Sequence, residues 1–315
     1  MGDSLDGKPK PMGDPLMDSM DMWEAVKSND VDSVQRLLDF GADSNAFEEN
    51  LTTSPLIEAT KYGFVELVRL LLSYGACASQ TDADNNTALH WAAAHNHRKY
   101  AEILLNYSSP IDVTNANGNT PLMRATAGSN VEMVRFLLER GASCGSKLNQ
   151  WNESALTIAS FKGDIGMVRL LLHGANVMEN RSRELYAALA AAATGNFVQV
   201  AQKLLDHGAR VNYTDETILS PLHSAALAGS VNVAKLLINY GANLDDFDSN
   251  GYTPLMEAAR AGHEEMIKTL LDAGANADRT SEDGRYRAFD LFWGARNSVA
   301  ARMLLLSEAS GETPP

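Results

Sequence analysis

Residues 250–278 read NGYTPLMEAARAGHEEMIKTLLDAGANAD, and this stretch decides the fold. Asn250-Gly251 supplies the positive φ that a tight turn needs. Thr253 followed by Pro254 is typical of a helix N-terminus, because the threonine hydroxyl caps free backbone N–H groups and proline fits the first helical position. We therefore predict a first helix that begins at Pro254 and ends near Gly262.

A second helix follows directly. Four apolar residues recur at helical spacing on one face, at Met266, Ile267, Leu270 and Leu271. Gly274 then ends the helix, because glycine adopts the left-handed conformation of a helix C-terminus without strain. Neither short helix can bury its apolar face alone, so a pair of this kind needs neighbouring pairs to form a core.

The same unit recurs along the whole chain. Proline or alanine occupies the first-helix start at intervals of 33 or 34 residues, at Pro55, Ala88, Pro121, Ala155, Ala188, Pro221, Pro254 and Ala288. The glycine that ends the second helix recurs too, each time before alanine, at Gly41, Gly75, Gly141, Gly174, Gly208, Gly241 and Gly274. This period and its Thr-Pro-Leu-His motif resemble the ankyrin repeat.

The resemblance implies an all-α ankyrin-repeat solenoid with short β-hairpin loops. We predict about seven full repeats and a capping unit at each end, all within one solenoid over residues 22–307. Residues 1–21 are predicted to be a flexible acidic tail, and residues 308–315 a second flexible tail. Two closing helices, over Arg287–Trp293 and Val299–Leu306, are expected to cover the apolar face of the last repeat.

Three repeats depart from the pattern, and one of them, the fourth, is one residue shorter between Leu172 and Gly174. Ser108 stands where the other repeats have glycine, so a residue with a Cβ has to end that helix. Ala187-Ala188 replaces the Thr-Pro start of the fifth repeat, and the run Ala190–Ala193 favours a helix but fills little volume. We therefore predict a thin joint between the fourth and fifth repeats.

Composition narrows the class of protein. Lys and Arg total 26 against 40 Asp and Glu, a net charge of −14, which repels phosphate backbones and disfavours nucleic-acid binding. Only Cys77 and Cys144 are present, which indicates a reducing compartment without a disulfide framework. No apolar run approaches the ~20 residues of a membrane span, and residues 1–21 lack the apolar core of a secretory signal. We expect a monomer in the cytoplasm without membrane insertion.

Several stretches are similar to the first ankyrin block of the Mask proteins, large scaffolds with multiple ankyrin repeats and a single KH domain. The most specific stretch is Gly251-Tyr-Thr-Pro-Leu-Met-Glu-Ala-Ala259, continued by Gly262-His-Glu-Glu-Met266. This resemblance implies a signalling scaffold of the cytoplasm and also of the nucleus. It leaves an RNA-associated adaptor as the alternative, although the GxxG segment Gly163-Asp-Ile-Gly166 falls at an inter-helix turn rather than in a KH domain.

The sequence shows no catalytic or cofactor motif. His90, His95 and His97 fall within eight residues, but no cysteine or carboxylate nearby completes a four-ligand zinc set. His90 occupies the fourth letter of the Thr-Pro-Leu-His motif, where the ankyrin family uses histidine to hydrogen-bond between repeats. We therefore predict no metal, no cofactor and no enzymatic activity, which leaves an enzyme with a hidden site as a weaker alternative.

Surface binding remains, and the resemblance places it in a concave groove formed by loop tips and the exposed side of the first helices. By register, the large groove side chains belong to repeats four to seven: Trp151, Tyr186, Leu219 and Tyr252 at the tips, and Phe161, Lys162, Leu227 and Arg260 on the first helices. Exposed aromatic and arginine residues are typical of binding hot spots. The alternative is that these side chains pack on one another.

Two asparagines suggest a modification. Asn45 and Asn212 lie in the loop after Gly-Ala. They resemble the asparagine that intracellular asparaginyl hydroxylases modify in many ankyrin proteins, so the resemblance marks both as candidate hydroxylation sites.

Overall fold

The computed structural model describes residues 22–46, 53–145, 147–174, 181–212, 219–292 and 301–305. The helices follow in chain order as α1 (Val31–Asp39), α2 (Pro55–Tyr62), α3 (Val65–Ser73), α4 (Ala88–Ala94), α5 (Arg98–Asn106), α6 (Pro121–Ala127), α7 (Val131–Glu139), α8 (Ala155–Phe161), α9 (Ile165–Gly174), α10 (Arg181–Thr194), α11 (Val198–Asp206), α12 (Pro221–Ala228), α13 (Val231–Asn239), α14 (Pro254–Ala261), α15 (Glu264–Asp272) and α16 (Ala288–Leu291). Residues 22–27 and 301–305 are helical as well. The predicted all-α class is confirmed.

Part of the sequence prediction falls outside this range. The two tails, 1–21 and 308–315, lie outside the described residues, as do residues 293–300 of the closing helices. Of the predicted closing helices, the structure describes α16, which is shorter than predicted at Ala288–Leu291, and residues 301–305, which are helical. No helix in the described ranges has the length and apolar character needed to cross a membrane.

The chain forms two compact units, Met1–Gly141 and Ala142–Pro315, here called unit 1 and unit 2. In unit 1 the first helices of successive repeats, α2, α4 and α6, pack side by side, and so do the second helices α1, α3, α5 and α7. In unit 2 the first-helix layer is α8, α10, α12, α14 and α16, and the second-helix layer is α9, α11, α13 and α15. The single solenoid over residues 22–307 stays a prediction.

First helices begin as their sequence predicts. The hydroxyl groups of Thr120 and Thr253 accept hydrogen bonds from the backbone N–H groups of Met123 and Met256, at 3.3 Å in both cases. Each threonine is followed by a proline at the first helical position. The cap therefore satisfies a donor that would otherwise be buried without a partner.

The second helices end at a left-handed residue in most repeats. Gly75 has φ 86° and Gly274 has φ 96°, and Ser108 adopts the same conformation at φ 62° despite its Cβ. Gly174 is the last described residue of α9, and residues 175–180 lie outside the described residues, so the prediction that Gly174 ends this helix stays a prediction.

A polar side chain closes several of the loops that precede first helices. The Oδ1 atoms of Asp82, Asn115, Asn149 and Asp248 each accept the backbone N–H of the residue two positions on and of the residue four positions on. Thr81 and Thr87 form an antiparallel bridge, and no longer ladder occurs in the described ranges. The predicted hairpins are thus tight turns held by side chains.

Two buried histidines tie neighbouring repeats together. The Thr87 N–H donates to Nδ1 of His90 at 3.1 Å, so Nε2 carries the proton and donates to the carbonyl oxygen of Asn119 at 3.0 Å. His223 has the equivalent contacts, with the Ser220 hydroxyl and with a carbonyl of the next repeat. Burial lowers the pKa of His90 to about 4, so the ring is neutral near pH 7. These contacts are the inter-repeat hydrogen bonds that the motif implies.

Helix α10 departs most from the pattern. It is 14 residues long and begins at Arg181, well before the expected start at Ala188. Leu185 and Tyr186, both buried, supply the volume that the alanine run lacks. The predicted thin joint is therefore not what the structure shows, because the first turns of the longer helix fill the space.

Glu184 lies in the first turn of α10 and is buried, and neither of its carboxylate oxygens has a hydrogen-bond partner of good geometry among the described groups. Gly145 comes so close that a Cβ built there would lie 2.2 Å from Glu184 Oε2. Burial raises the pKa of Glu184 to about 7, although Ser154 and Arg181 act in the opposite direction. The neutral carboxyl is therefore the form that suits this site.

We expect Glu184→Gln to remove a pH dependence of stability. The native state keeps a proton that the unfolded chain has lost, so the contribution is full below the ordinary pKa of 4.5 and is lost as pH rises towards 7. The shift corresponds to a loss on the order of 3 kcal/mol. Urea unfolding near pH 5 and near pH 8 should show this loss in the wild type and not in the variant. Glu264→Gln, at an exposed glutamate of the same unit, is the control, and equal pH profiles for wild type and Glu184→Gln would contradict the assignment.

His90→Gln should show the opposite sign. The native pKa of His90 is below the ordinary 6.5, so its contribution is full above pH 6.5 and is lost as pH falls towards 4. The free energy of unfolding of the wild type should exceed that of the variant near pH 7, by ~1–3 kcal/mol if the Gln leaves the Thr87 N–H unpaired. The difference should shrink on acidification; a difference independent of pH would show that the ring's charge plays no part.

Candidate protein-binding surface

Unit 2 exposes large side chains at one repeated position of its first-helix layer. Phe161, Leu227 and Arg260 lie near the C-terminal ends of α8, α12 and α14, spaced by multiples of 33 residues. Phe161 is 56% exposed, and Leu227 is exposed as well. The opposite faces of these helices bury Leu156 and Leu222. Internal packing therefore uses one side of each helix and leaves apolar surface on the other.

Trp151 lies in the turn before α8 and is 61% exposed. The Oδ1 atom of Asn149 accepts the N–H of Trp151 at 3.0 Å and that of Glu153 at 2.9 Å. Asn152 takes the left-handed conformation between them, at φ 64°. The backbone of this turn is fixed while the indole ring faces solvent, which is the arrangement of a preorganised anchor residue.

Arg260 and Tyr252 lie together in the last full repeat. The Arg260 guanidinium lies 6.0 Å from the centre of the Tyr252 ring and donates to Oε2 of Glu257 at 2.6 Å. Burial raises the pKa of Glu257, while Arg260 opposes that shift. The buried carboxylate thus holds the arginine in place, with part of its side chain exposed beside the tyrosine.

The structure contradicts the predicted position of one groove residue. Tyr186 is 2% exposed, inside α10, so its placement at an exposed loop tip is wrong. The physical reason is that residues 181–187 are helical and no tip forms there. Lys162 is exposed, and Leu219 is partly buried beside residues 213–218, which lie outside the described residues.

Unit 1 carries an aromatic cluster that the sequence analysis did not single out, here called the Trp91 cluster: Lys61, Tyr62, Trp91, His95 and His97. Trp91 stacks on His95 with ring centres 5.7 Å apart, and His95 lies at the same distance from His97. The Lys61 Nζ lies 4.5 Å from the Trp91 ring centre. The signal was available, because the register that gives Phe161 and Lys162 also gives Lys61, Tyr62 and His95.

Asn45 and Asn212 make matching bridges to the next repeat. The Oδ1 of Asn45 accepts the Cys77 N–H at 2.7 Å, and the Oδ1 of Asn212 accepts the Asn243 N–H at 3.0 Å. Both side-chain amides also donate to a glycine carbonyl of that repeat. Hydroxylation of these residues stays a prediction, and the geometry gives each of them a structural role as a loop clamp.

In the described ranges, no three His, Cys, Asp or Glu side chains lie close enough together to hold a metal ion. His90 is used between repeats, and His95 and His97 belong to the Trp91 cluster. Cys77 is exposed and Cys144 is buried.

Pairs of short helices, repeated with one period and packed in two layers, define a helical repeat protein. The family model for ankyrin repeats matches the chain in three copies, over residues 22–115, 107–181 and 187–281. The chain belongs to the ankyrin-repeat family, whose domains typically serve as protein–protein interaction modules.

Curated relatives agree with this assignment over short stretches. The chain is 32% identical over 144 residues to the ankyrin repeat and KH domain-containing protein mask-1 of Caenorhabditis elegans, covering 45% of this chain and 6% of that protein. It is 34% identical over 84 residues to the ARF GTPase-activating protein Git of Drosophila melanogaster, covering 27% of this chain and 12% of that protein. The resemblance to Mask proteins is thus confirmed at the level of their repeats.

Some relatives are named as enzymes. The 2-5A-dependent ribonuclease of Mus musculus is 46% identical over 59 residues, which cover 19% of this chain and 8% of that protein. The chain therefore spans a small fraction of the relatives it matches, and the shared part is the repeat region. Among solved structures, the human ASB11 ankyrin repeat domain aligns with 84% of this chain and all of that chain, at 25% identity and a TM-score of 0.47.

Removing a loop clamp should loosen the joint that it bridges. Asn45→Ala and Asn212→Ala each leave a backbone N–H without its acceptor, at a cost of ~1 kcal/mol. Amide hydrogen exchange should accelerate at Cys77 in the first variant and at Asn243 in the second. The matched control is Asn239→Ala, an exposed asparagine in the second-helix layer. Unchanged exchange at both amides would show that the bridges do not hold the loops.

Proposed function

We propose that this chain is a non-catalytic interaction module that brings partner proteins together in intracellular signalling, in the cytoplasm and the nucleus. The contact surface is the first-helix face with its adjoining loop tips, which corresponds to the concave groove of ankyrin stacks. The observation that carries the proposal is the exposed apolar surface of Trp151, Phe161 and Leu227, which internal packing does not require.

Charge separates this function from its main alternative. An RNA-associated adaptor would need a basic path for the phosphate backbone, and a net charge of −14 opposes that. Aromatic anchors on a rigid scaffold suit a protein partner, because a large ring buries much area at little entropic cost. The repeat scaffold provides the rigidity, since each first helix is fixed by its neighbours in the same layer.

The test is alanine substitution at the exposed anchors. Partners are captured with the full chain and identified, and the affinity of each purified partner is then measured for the wild type, Trp151→Ala, Phe161→Ala and the double variant. A true anchor costs ~2 kcal/mol or more, about thirtyfold in dissociation constant. The melting temperature should stay unchanged because both rings face solvent.

Tyr240→Ala is the matched control in the same unit. Tyr240 is an exposed aromatic residue, but it lies at the end of a second helix rather than on the first-helix face. Its removal should leave the affinity unchanged. A double variant that binds every captured partner as the wild type does, or a loss caused equally by Tyr240→Ala, would refute the proposed surface.

A further inference from the structure

The Trp91 cluster of unit 1 forms a partly exposed aromatic platform with a fixed orientation. The Trp91 Nε1–H donates to Oδ2 of Asp82 at 2.8 Å, which holds the indole in place. The His95 ring stacks on the indole. Tyr62 occupies the position equivalent to His95 one repeat earlier, stacks on Phe64 and is 55% exposed. Flat rings of this kind offer apolar contact area that is already ordered before a ligand arrives.

Two acidic side chains next to this platform, Glu58 and Asp82, are buried and already accept hydrogen bonds. Glu58 is buried and its Oε1 accepts from the Lys61 Nζ at 3.0 Å. Asp82 is also buried, and its oxygens accept from Trp91 and from the backbone N–H groups of Asp84 and Asn86. Neither Glu58 nor Asp82 therefore presents a free carboxylate to an approaching group.

Arg124 extends the same face by one repeat. It lies 33 residues after Trp91, at the equivalent position of α6, which packs against α4. The side chain is half-buried, and its Nε is buried without a hydrogen-bond acceptor among the described groups. A partly desolvated guanidinium gains most from a carboxylate, which can pair with the two outer Nη groups.

We propose that this face of unit 1, from Tyr62 through Trp91 to Arg124, binds an acidic extended peptide segment of a partner protein. The inference rests on the proposed function and names the chemistry of one of its partners. A carboxylate of the peptide pairs with Arg124, and an apolar side chain lies on the rings of Tyr62 and Trp91. Three neighbouring helices at ~10 Å spacing span ~20 Å, which is about six residues of extended chain.

Aromatic rings with cations also occur in proteins that bind single-stranded nucleic acid. The peptide is favoured because a short segment with one or two carboxylates carries less negative charge than an oligonucleotide with a phosphate at every step, so the net charge of −14 opposes it less. A nucleic-acid ligand is therefore treated as an outcome that would overturn the proposal.

The experiment selects peptides from a random twelve-residue display library on the full chain. Enriched peptides are synthesised with a fluorescent label, and their affinities are measured by anisotropy for the wild type, Arg124→Gln and Tyr62→Ala. We expect enriched peptides with net negative charge and an aromatic or aliphatic residue, and about a tenfold loss of affinity in each variant. Replacing the peptide's Asp and Glu by Asn and Gln should cause a similar loss, and added salt should weaken binding.

Arg69→Gln is the matched control, because Arg69 is an exposed arginine on the second helix α3 of the same unit. It should leave the affinity unchanged, and all three variants should keep the wild-type melting temperature. The proposal is overturned if no peptide is enriched, if enriched peptides are neutral or basic, or if their affinity is the same in Arg124→Gln. It is also overturned if a twelve-nucleotide oligouridine binds with the dependence on Arg124 and Tyr62 that is expected of the peptide.

Failure here is distinguishable from failure of the proposed function. If acidic peptides fail while Trp151→Ala and Phe161→Ala still weaken capture of a partner, the module binds proteins through unit 2 and the assignment of unit 1 is wrong. If both sets of variants bind normally, the proposed function fails as well.

Discussion

The rest of the structure depends on one constraint: the helices of a single repeat cannot bury their apolar faces without a neighbouring repeat. In the second-helix layer of unit 1, Leu71, Leu104 and Leu137 are fully buried although each belongs to a helix of nine residues. Helices of that length are marginal in water on their own. Packing between repeats therefore supplies most of the stability, and the repeat period exists to align these joints.

This constraint leaves part of each first helix free. Its small residues, such as Ala92 and Ala93, face the joint and allow close approach, while its polar ends are satisfied by caps and by His90. The last turn carries no packing duty in several repeats, so its residues vary from Tyr62 to Phe161 to Arg260 without disturbing the joint. Function can occupy those positions because stability does not depend on them.

Sequence reasoning succeeded where the signal is local. Threonine and proline at a helix start, and a left-handed residue after a helix, act within a few residues of chain, so they read directly from the repeat. It failed at Tyr186, where the fifth repeat begins its first helix early. Whether the segment Arg181–Tyr186 forms a loop tip or a helix depends on what it packs against, and the sequence pattern does not contain that neighbour.

The candidate surface was partly predictable for the same reason. The repeat register placed Phe161 and Arg260 at exposed positions. It did not predict that Trp91 stacks on His95, because the repeat period does not specify the directions of side chains. The distribution of charge over the first-helix face was also not predictable, because it depends on which charged side chains are buried rather than on composition.

Repeats one and seven show how this distribution of charge arises. Each places a buried glutamate three residues before a basic residue, as Glu58 with Lys61 and Glu257 with Arg260. A buried ion pair adds little net stability, because desolvation of the charges offsets their attraction. Stability alone does not account for the pair, whereas its effect on the surface does. The carboxylate is buried, and the cation lies beside an aromatic ring, which is Trp91 of the next repeat for Lys61 and Tyr252 of the same repeat for Arg260. A strongly acidic chain thereby presents positive charge at defined positions of its first-helix face.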